Sequence, residues 1–378
     1  MKKAVQILNI AVFLGFLVVL AVVSLAIPED DYSETENRYL ADMPDFSVSD
    51  WFSGDYSEDL TSWLDDHFAM RTNWISLHTS LELLQGRSEV NGVYITDNRL
   101  LELTDEIDYS VVDSSLEAIA YLSELTDTPT YIMLVPTAAE IYSDEVSYTE
   151  KKVSQRELIT YSYNYLAENS TVGMIDIYST LYSNREEYIY YRTDHHWTSK
   201  GAYLAYILAT DTMGYTASTL DKFNVKYASH SFYGSLHSKV LYDGIEADTI
   251  EFYLSNTRTV SKVTTDDDGN TVYSSVFDES YLSGKDKYLC YLGSNTATTQ
   301  VVSDSTGGKL LIIKDSYANC LIPFLAENYS EIDVIDLRYL TNPTTAIGDL
   351  SEYDSILILY NAQNFAEDTN LPKLKLIK

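Results

Sequence analysis

The run Tyr191-Arg192-Thr193-Asp194-His195-His196-Trp197-Thr198 sets an acid, two imidazoles and an indole in four consecutive positions. The chain has six histidines in 378 residues, so two side by side next to an aspartate mark a place for proton transfer or metal binding. Asp194 and His196 are two apart, and in an extended segment both side chains leave the same face. The aspartate then accepts the imidazole Nδ1–H and leaves Nε2 as a base. His195 is expected to point the other way, in a structural or supporting role. Trp197 either walls the site or sits in the core. A base oriented by an acid calls for a nucleophile. Ser316, in Lys314-Asp315-Ser316, follows an apolar run and precedes a helical one. A hydroxyl at such a turn projects above a sheet, with backbone N–H groups of the next turn near any oxyanion. Alone, Asp-Ser here also fits an ordinary helix cap. Its pairing with His196 and Asp194 makes Ser316 the candidate nucleophile.

Metal binding is the competing use of Asp-His-His and requires further ligands. His230 and His237 are available, seven apart in a Ser/Tyr/Gly-rich stretch, while His67 and His78 fall in an early helix. No HExxH motif, carboxylate-rich set or zinc-type cysteine pair accompanies them, so neither a metal nor another cofactor is called for.

The elements that must position these residues alternate. Trp51 to Leu84 reads as helical, with apolar residues mostly three and four apart. Asn91-Gly92-Val93-Tyr94-Ile95 and Leu100-Leu101 read as two short strands about a turn. A helix over Val111 to Leu125, a strand over Tyr131 to Pro136, a helix over Val153 to Glu168 and a strand over Val172 to Ile177 follow. Ser199 to Leu208 is helix-like. From about 221 to 306 the texture becomes β-rich, with Asp266-Asp267-Asp268-Gly269-Asn270 as a hairpin-like turn. The rhythm then returns with strands at Leu310 to Ile313, Ile332 to Leu337 and Ser355 to Tyr360, and a helix over Ala318 to Tyr329. Helix alternating with continuous apolar strand is the pattern of an α/β sheet. Ligands of such sheets bind beyond the carboxyl ends of the strands, here Lys314-Asp315-Ser316, Arg338-Tyr339 and Asn361.

Lys2 and Lys3 precede an apolar stretch whose core, Ile10 to Ile27, is 18 residues long with Ser24 its only polar member. That length favours a membrane anchor over a cleaved signal peptide. The basic flank lies before the helix and acids after it (Glu29, Asp30, Asp31, Glu34, Glu36), so the N-terminus is cytoplasmic and the chain after Pro28 lies outside. Small residues in Ser24-Leu25-Ala26 keep the cleaved alternative open, in which case the protein is secreted. The expected organisation is an anchor over 1–28, a linker over 29–50 and one domain over 51–378. A net charge of −32 excludes nucleic acid as a partner. Cys290 and Cys320, the only cysteines, are too few for a disulfide framework. Cys320 reads as a buried thiol. Tyrosine is abundant, 33 against 11 phenylalanines, and suits half-wet surfaces and sugar rings, although genome composition explains the same excess.

The Asp194-His195-His196-Trp197 run resembles the DHHW protein family, which is similar to SGNH-hydrolase-like proteins of the alginate O-acetyltransferase type. The resemblance extends through Glu36-Asn37-Arg38, Asn91-Gly92-Val93-Tyr94, Val135-Pro136-Thr137 with Ile141-Tyr142, and Tyr233-Gly234-Ser235-Leu236. It continues through Lys314-Asp315-Ser316-Tyr317-Ala318-Asn319 and Asp336-Leu337-Arg338-Tyr339. It implies an SGNH-hydrolase-like α/β sheet flanked by helices, with a β-rich insertion, behind one transmembrane helix. Asp194 and His196 match the acid and base of the acetyltransferases' Asp-x-His-Trp motif, and Ser316 matches the nucleophile. The acid and base precede the serine, as in the alginate-type enzymes. Arg338, Tyr317 and Asn361 are the candidate oxyanion or substrate-binding residues, with His195 and Trp197 in support. Lys314 stands where SGNH hydrolases have glycine, and no clear Gly-x-Asn-Asp block is present. No second carbohydrate-binding domain is expected after the last strand.

The resulting expectation is an extracytoplasmic, membrane-anchored O-acyl (acetyl) transferase or esterase acting on a cell-envelope or exopolysaccharide. Its partners are a polysaccharide acceptor and a multispanning membrane protein that delivers acyl groups. The alternative is a non-catalytic polysaccharide-binding or scaffold protein of an envelope polysaccharide machine.

Overall fold

The order of the strands explains how residues far apart in the chain meet. The computed structural model describes residues 2–26, 30–150, 152–265 and 270–378. The predicted end of the anchor at Ile27 and Pro28, and Asp266 to Gly269 of the predicted hairpin turn, lie outside the described residues. The chain divides into two compact units, residues 1–91 with 237–244, and residues 92–236 with 245–378.

The first unit begins with α1 (Lys2–Ala26), whose Lys3–Ser24 stretch has a mean hydropathy of 2.8. At ~1.5 Å per residue such a helix is long enough to cross ~30 Å of hydrocarbon. Strands β1 (Tyr32–Ser33) and β2 (Arg38–Tyr39) pair antiparallel. The single helix expected from Trp51 to Leu84 is three: α2 (Val48–Ser53), α3 (Asp55–Asp66) and α4 (Arg71–Leu84). Gly54 at φ +98° ends the first, and Met70 at φ +59° leads into the third. Apolar periodicity carries no record of these left-handed breaks. Strand β3 (Glu89–Val90) follows.

The second unit opens with β4 (Val93–Ile95) and β5 (Leu100–Leu101), antiparallel as expected. Then come α5 (Tyr109–Glu124), β6 (Thr130–Val135), α6 (Ala138–Ile141), α7 (Gln155–Asn169), β7 (Gly173–Met174), α8 (Tyr178–Ser183) and α9 (Ser199–Thr212). The longer helices begin at side-chain caps: Asp108 accepts from Ser110 N–H, Ser154 from Glu157 N–H and Thr198 from Gly201 N–H. Strands β8 (Phe223–Phe232) and β9 (Asp248–Ser255) form an antiparallel ribbon. Strands β10 (Val260–Thr265), β11 (Thr271–Ser274) and β12 (Thr298–Ser303) lead to β13 (Lys309–Lys314), β14 (Glu331–Ile335) and β15 (Ser355–Asn361).

The main sheet runs β11-β10-β12-β14-β13-β15-β6-β7. From β14 to β7 neighbours are parallel; β12, β10 and β11 continue the sheet antiparallel. Three strands of the β-rich stretch therefore belong to the main sheet. Period-two alternation distributes its side chains to two cores. Leu310, Ile312, Leu357, Leu359, Met133 and Val135 join the core that includes Ala202 and Ala205 of α9. Leu311, Ile313, Ile356, Ile358, Ile132 and Leu134 join the core that includes Leu116 and Ile119 of α5. With both faces covered, these strands read as continuous apolar runs.

The helix expected over Ala318 to Tyr329 is a 3-10 turn, Ser316–Cys320, followed by a single helical turn, Ile322–Leu325. Pro323 is the reason: it has no N–H to donate backward and fits only the first turn of a new helix.

Candidate active site

Ser316 lies two residues past the end of β13, at the carboxyl end of a parallel strand flanked by β15 and β14. Asp315 builds the turn. Its Oδ1 accepts from Tyr317 N–H at 2.9 Å, and its Oδ2 accepts from Asn361 N–H at 2.9 Å, Asn361 Nδ2 at 2.7 Å and Asn364 Nδ2 at 3.0 Å. The cap of this turn is thus Asp315, which leaves the Ser316 hydroxyl available.

The Asp-His-His segment approaches the same point. Its bridge from Tyr190 to Trp197 closes a tight loop, not the extended run expected from sequence. Asp194 Oδ1 accepts from His196 N–H at 3.0 Å and from His196 Nδ1 at 2.6 Å. Acid and base therefore share a side because of an Asx turn rather than strand alternation. His196 Nε2 lies 2.7 Å from Ser316 Oγ, closing an acid–imidazole–hydroxyl chain across 120 residues of sequence. An ionised carboxylate can only accept, so Nδ1 carries the proton and Nε2 accepts from the serine.

Burial pushes the Asp194 carboxyl up, but His195, His196 and the Ser235 N–H outweigh it and hold it well below the usual carboxylate range. Burial and the neighbouring His195 push His196 down to about 4 against the pull of Asp194. The imidazole is neutral at pH 7, the form a general base requires.

The second carboxylate oxygen of Asp194 accepts from Ser235 N–H at 2.8 Å. Asp194 can be reached there because Gly234 lacks a side chain: a Cβ would stand 2.2 Å from Asp194 Cβ. Asp248, wholly buried on β9, accepts from Arg192 N–H at 2.7 Å and Thr193 N–H at 2.8 Å, and also from the hydroxyls of Thr193 and Tyr188. It fixes the backbone immediately before Asp194. Tyr288 lies parallel to His196, ring centroids 3.6 Å apart and planes at 9°, while its hydroxyl donates to Ser316 O at 3.2 Å. Sequence reasoning missed Asp248 and Tyr288, which belong to the β-rich stretch and carry no motif. Gly234 and Ser235 were visible only as part of a resembling block.

The remaining predicted residues divide. His195 does not point away: its ring centroid is 3.8 Å from that of His196, and its Nδ1 meets Ser235 Oγ at 2.6 Å. Trp197 is fully buried, its Nε1–H donating to Tyr317 O at 2.9 Å, so it belongs to the core. Tyr317 is buried, its N–H engaged by Asp315 and its hydroxyl by His195 O. The Asn361 amide is committed to Asp315 and Asn364. Arg338 grips Asp336 through Nε at 2.9 Å and Nη2 at 2.7 Å. Lys314, buried, sits 3.4 Å from the same Asp336 and 3.2 Å from Asn295 Oδ1. None of these three oxyanion candidates makes a side-chain hydrogen bond to Ser316. The Ser316 N–H itself has no acceptor among the described residues, which makes it an open donor at the site.

Among the described residues one cluster, Asp194-His195-His196, brings three potential metal-ligand atoms within 4.8 Å. His230 pairs with Thr249 and is not part of it. Binding an ion through His196 would break one of its two existing hydrogen bonds. Cys290 and Cys320 are free and buried. Some of the tyrosines lie inside, with Tyr190, Tyr191, Tyr206, Tyr291 and Tyr360 fully buried, so part of the excess builds the core.

The sequence model of the DHHW protein family matches residues 106–335, which include the Asp-His-His-Trp run, Ser235, Tyr288 and Ser316. A solved DHHW family protein from Eubacterium siraeum is 25% identical with a TM-score of 0.64, over 77% of this chain and 97% of its own. Bacillus cereus PatB1 is 20% identical with a TM-score of 0.60, over 73% of this chain and 97% of its own. PatB1 with a sulfonyl adduct gives 19% identity and a TM-score of 0.60, over 76% and 100%. At that identity the PatB1 likeness speaks for the fold, an SGNH-hydrolase-like α/β sheet flanked by helices. No curated protein matches the sequence.

Proposed function

Because this chain belongs to the DHHW family, we propose that it is an O-acyl (acetyl) transferase or esterase acting on a cell-envelope or exopolysaccharide through Ser316, His196 and Asp194. It is held at the outer face of the cell membrane by α1. The observation that carries this reading is the unbroken chain from Asp194 Oδ1 through His196 to Ser316 Oγ, with steps of 2.6 and 2.7 Å.

In this mechanism Ser316 Oγ attacks the acyl carbonyl carbon while its proton passes to His196 Nε2. The carbonyl oxygen becomes an oxyanion that the Ser316 N–H can meet. Collapse expels the donor's oxygen, which takes the proton from His196, and leaves acyl-Ser316. A sugar hydroxyl or water then attacks, again giving its proton to His196, and the ester or free acid departs as the acyl–Oγ bond breaks and Ser316 Oγ takes that proton back from His196. Asp194 remains ionised and stabilises the imidazolium at each proton transfer. The acetyltransferase reading of the family favours the sugar hydroxyl as acceptor, with acyl groups supplied by a multispanning membrane protein.

Turnover of an acetyl ester by the full chain in detergent tests this, alone and with an oligosaccharide acceptor. The mechanism predicts turnover that Ser316→Ala and His196→Ala abolish, and acetylated sugar when acceptor is present. Turnover unchanged in Ser316→Ala would remove the serine mechanism.

One observation favours the second reading, a polysaccharide-binding or scaffold protein: Arg338, Tyr317 and Asn361 direct their polar groups to partners other than Ser316. Sugar binding that survives both alanine substitutions, with no ester turnover in the unaltered chain, would select it.

A further inference from the structure

The turn between α3 and α4 combines features that a water-facing turn does not need. Phe68 and Met70 are 40% and 62% exposed, on either side of buried Ala69. Met70 has φ +59°, a left-handed conformation uncommon for residues other than glycine and maintained only where its surroundings impose it. Those surroundings are visible. Asp66 accepts from Ala41 N–H at 2.8 Å and Arg38 Nη1 at 2.9 Å. Arg71, on the other side of the turn, donates to Glu36 through Nε at 2.8 Å and Nη2 at 3.0 Å. Arg38 Nε donates to the same glutamate at 2.9 Å. The Trp74 Nε1–H donates to Ala69 O at 3.1 Å, which brings a half-exposed indole back over the turn. The turn is thus clamped on both sides while it presents apolar side chains outward.

Its position gives those side chains a partner. The Ala69 N–H donates to Ser24 Oγ at 2.9 Å, and Ser24 lies in the last turn of α1, at the end of its Lys3–Ser24 span of high hydropathy. If α1 spans the bilayer, Ser24, in its last turn, stands near the outer edge of the hydrocarbon, and residues bonded to it stand near that depth. Aromatic residues with a polar handle favour this zone. Arg38 and Arg71 are neutralised by Glu36 and Asp66, so apolar insertion, not charge, would govern the contact.

We infer that Phe68, Met70 and Trp74 form an interfacial foot that inserts into the outer leaflet of the membrane crossed by α1. The inference rests on the anchor reading above. The foot would fix the height and tilt at which the chain leaves the membrane, which a single helix followed by a flexible linker would not.

The test uses the full chain in phosphatidylcholine vesicles, carrying one spin label at a time through Leu14→Cys, Phe68→Cys, Met70→Cys or Tyr148→Cys. The two native cysteines are buried. Collision with oxygen is compared with collision with a water-soluble nickel chelate. Labels at 14, 68 and 70 should favour oxygen, and the label at 148, an exposed site of the second unit, serves as the water-facing reference that should favour nickel, at low and high salt alike. A lipid-like result at 14 with water-like results at 68 and 70 overturns the foot and leaves the anchor standing. A water-like result at 14 overturns both. Quenching by brominated lipid that is lost in Trp74→Phe supports the foot without any label; equal quenching in that variant and the unaltered chain counts against the place of Trp74 in it.

Discussion

Gly234 has no part in the chemistry, yet its lack of a side chain lets Asp194 stand where His196 needs it. In Gly234→Ala the new Cβ would lie 2.2 Å from Asp194 Cβ and 2.3 Å from Oδ2, where real Cβ contacts stop at about 3.0 Å. The two groups must therefore part by at least about 0.8 Å. Asp194 cannot yield freely, because both its oxygens are bonded, to His196 on one side and to Ser235 N–H on the other. Either the carboxylate moves and the imidazole loses its 2.6 Å partner, or the 234–235 backbone moves and the carboxylate loses its outer support. Misplacement of a catalytic group by ~1 Å costs roughly 100-fold in rate, about 2.7 kcal/mol of barrier. Overpacking should also lower stability by roughly 1–3 kcal/mol. The assay is kcat on a chromogenic acetyl ester, with thermal unfolding of the same preparation to establish that the variant is folded. A folded Gly234→Ala chain with kcat within about twofold of the unaltered protein would refute the claim that the close approach at Gly234 holds Asp194 in its orienting place.

Three further outcomes follow from the same geometry. His196 is held down to about 4 and must be neutral to accept the serine proton, so kcat/KM should be level across neutral pH and fall as pH drops through about 4; a profile of kcat/KM against pH with an acid limb near 6.5 would contradict this. Tyr288→Phe should keep the ring against His196 and lose the hydroxyl's bonds to Ser316 O and Cys320 Sγ, a stability loss of roughly 0.5–1.5 kcal/mol. Tyr288→Leu should admit water to the imidazole and shift the acid limb upward, and an unshifted limb would deny the tyrosine its shielding role. Asp248→Asn turns an amide toward donors that need an acceptor, so thermal or denaturant unfolding should show a loss of roughly 1–3 kcal/mol; an unchanged midpoint would show that the loop does not depend on Asp248.

The parallel core of the sheet was legible because β13, β15 and β6 are covered on both faces and must be apolar throughout. The meeting of Asp194, His196 and Ser316 was legible because chemistry restricts which residue types can serve together. The route was not. An Asx turn gives Asp194 and His196 the common side that an extended segment would also give, so the right pairing followed from the wrong backbone. His195 was misdirected for the same reason. Pro323 was visible in the sequence, yet the apolar spacing around it suggested a longer helix than the proline allows. Asp248 and Tyr288 act through burial and stacking set by the fold, and nothing in their local sequence distinguishes them from neighbouring residues. Asn361 could be placed at a strand end, but the service of its amide to Asp315 depends on the fold bringing β15 beside the turn after β13.

The central claim is that Ser316 carries the acyl group. It is tested most directly by exposing the full chain to an acetyl donor, quenching with acid, and mapping acetylated peptides by mass spectrometry. The account predicts one acetyl group, on Ser316, that accumulates without acceptor, disappears on adding an oligosaccharide, and never forms in Ser316→Ala or His196→Ala. Turnover of the donor with Ser316 unmodified at every time point, or an acetyl group found elsewhere and unaffected by Ser316→Ala, would contradict it.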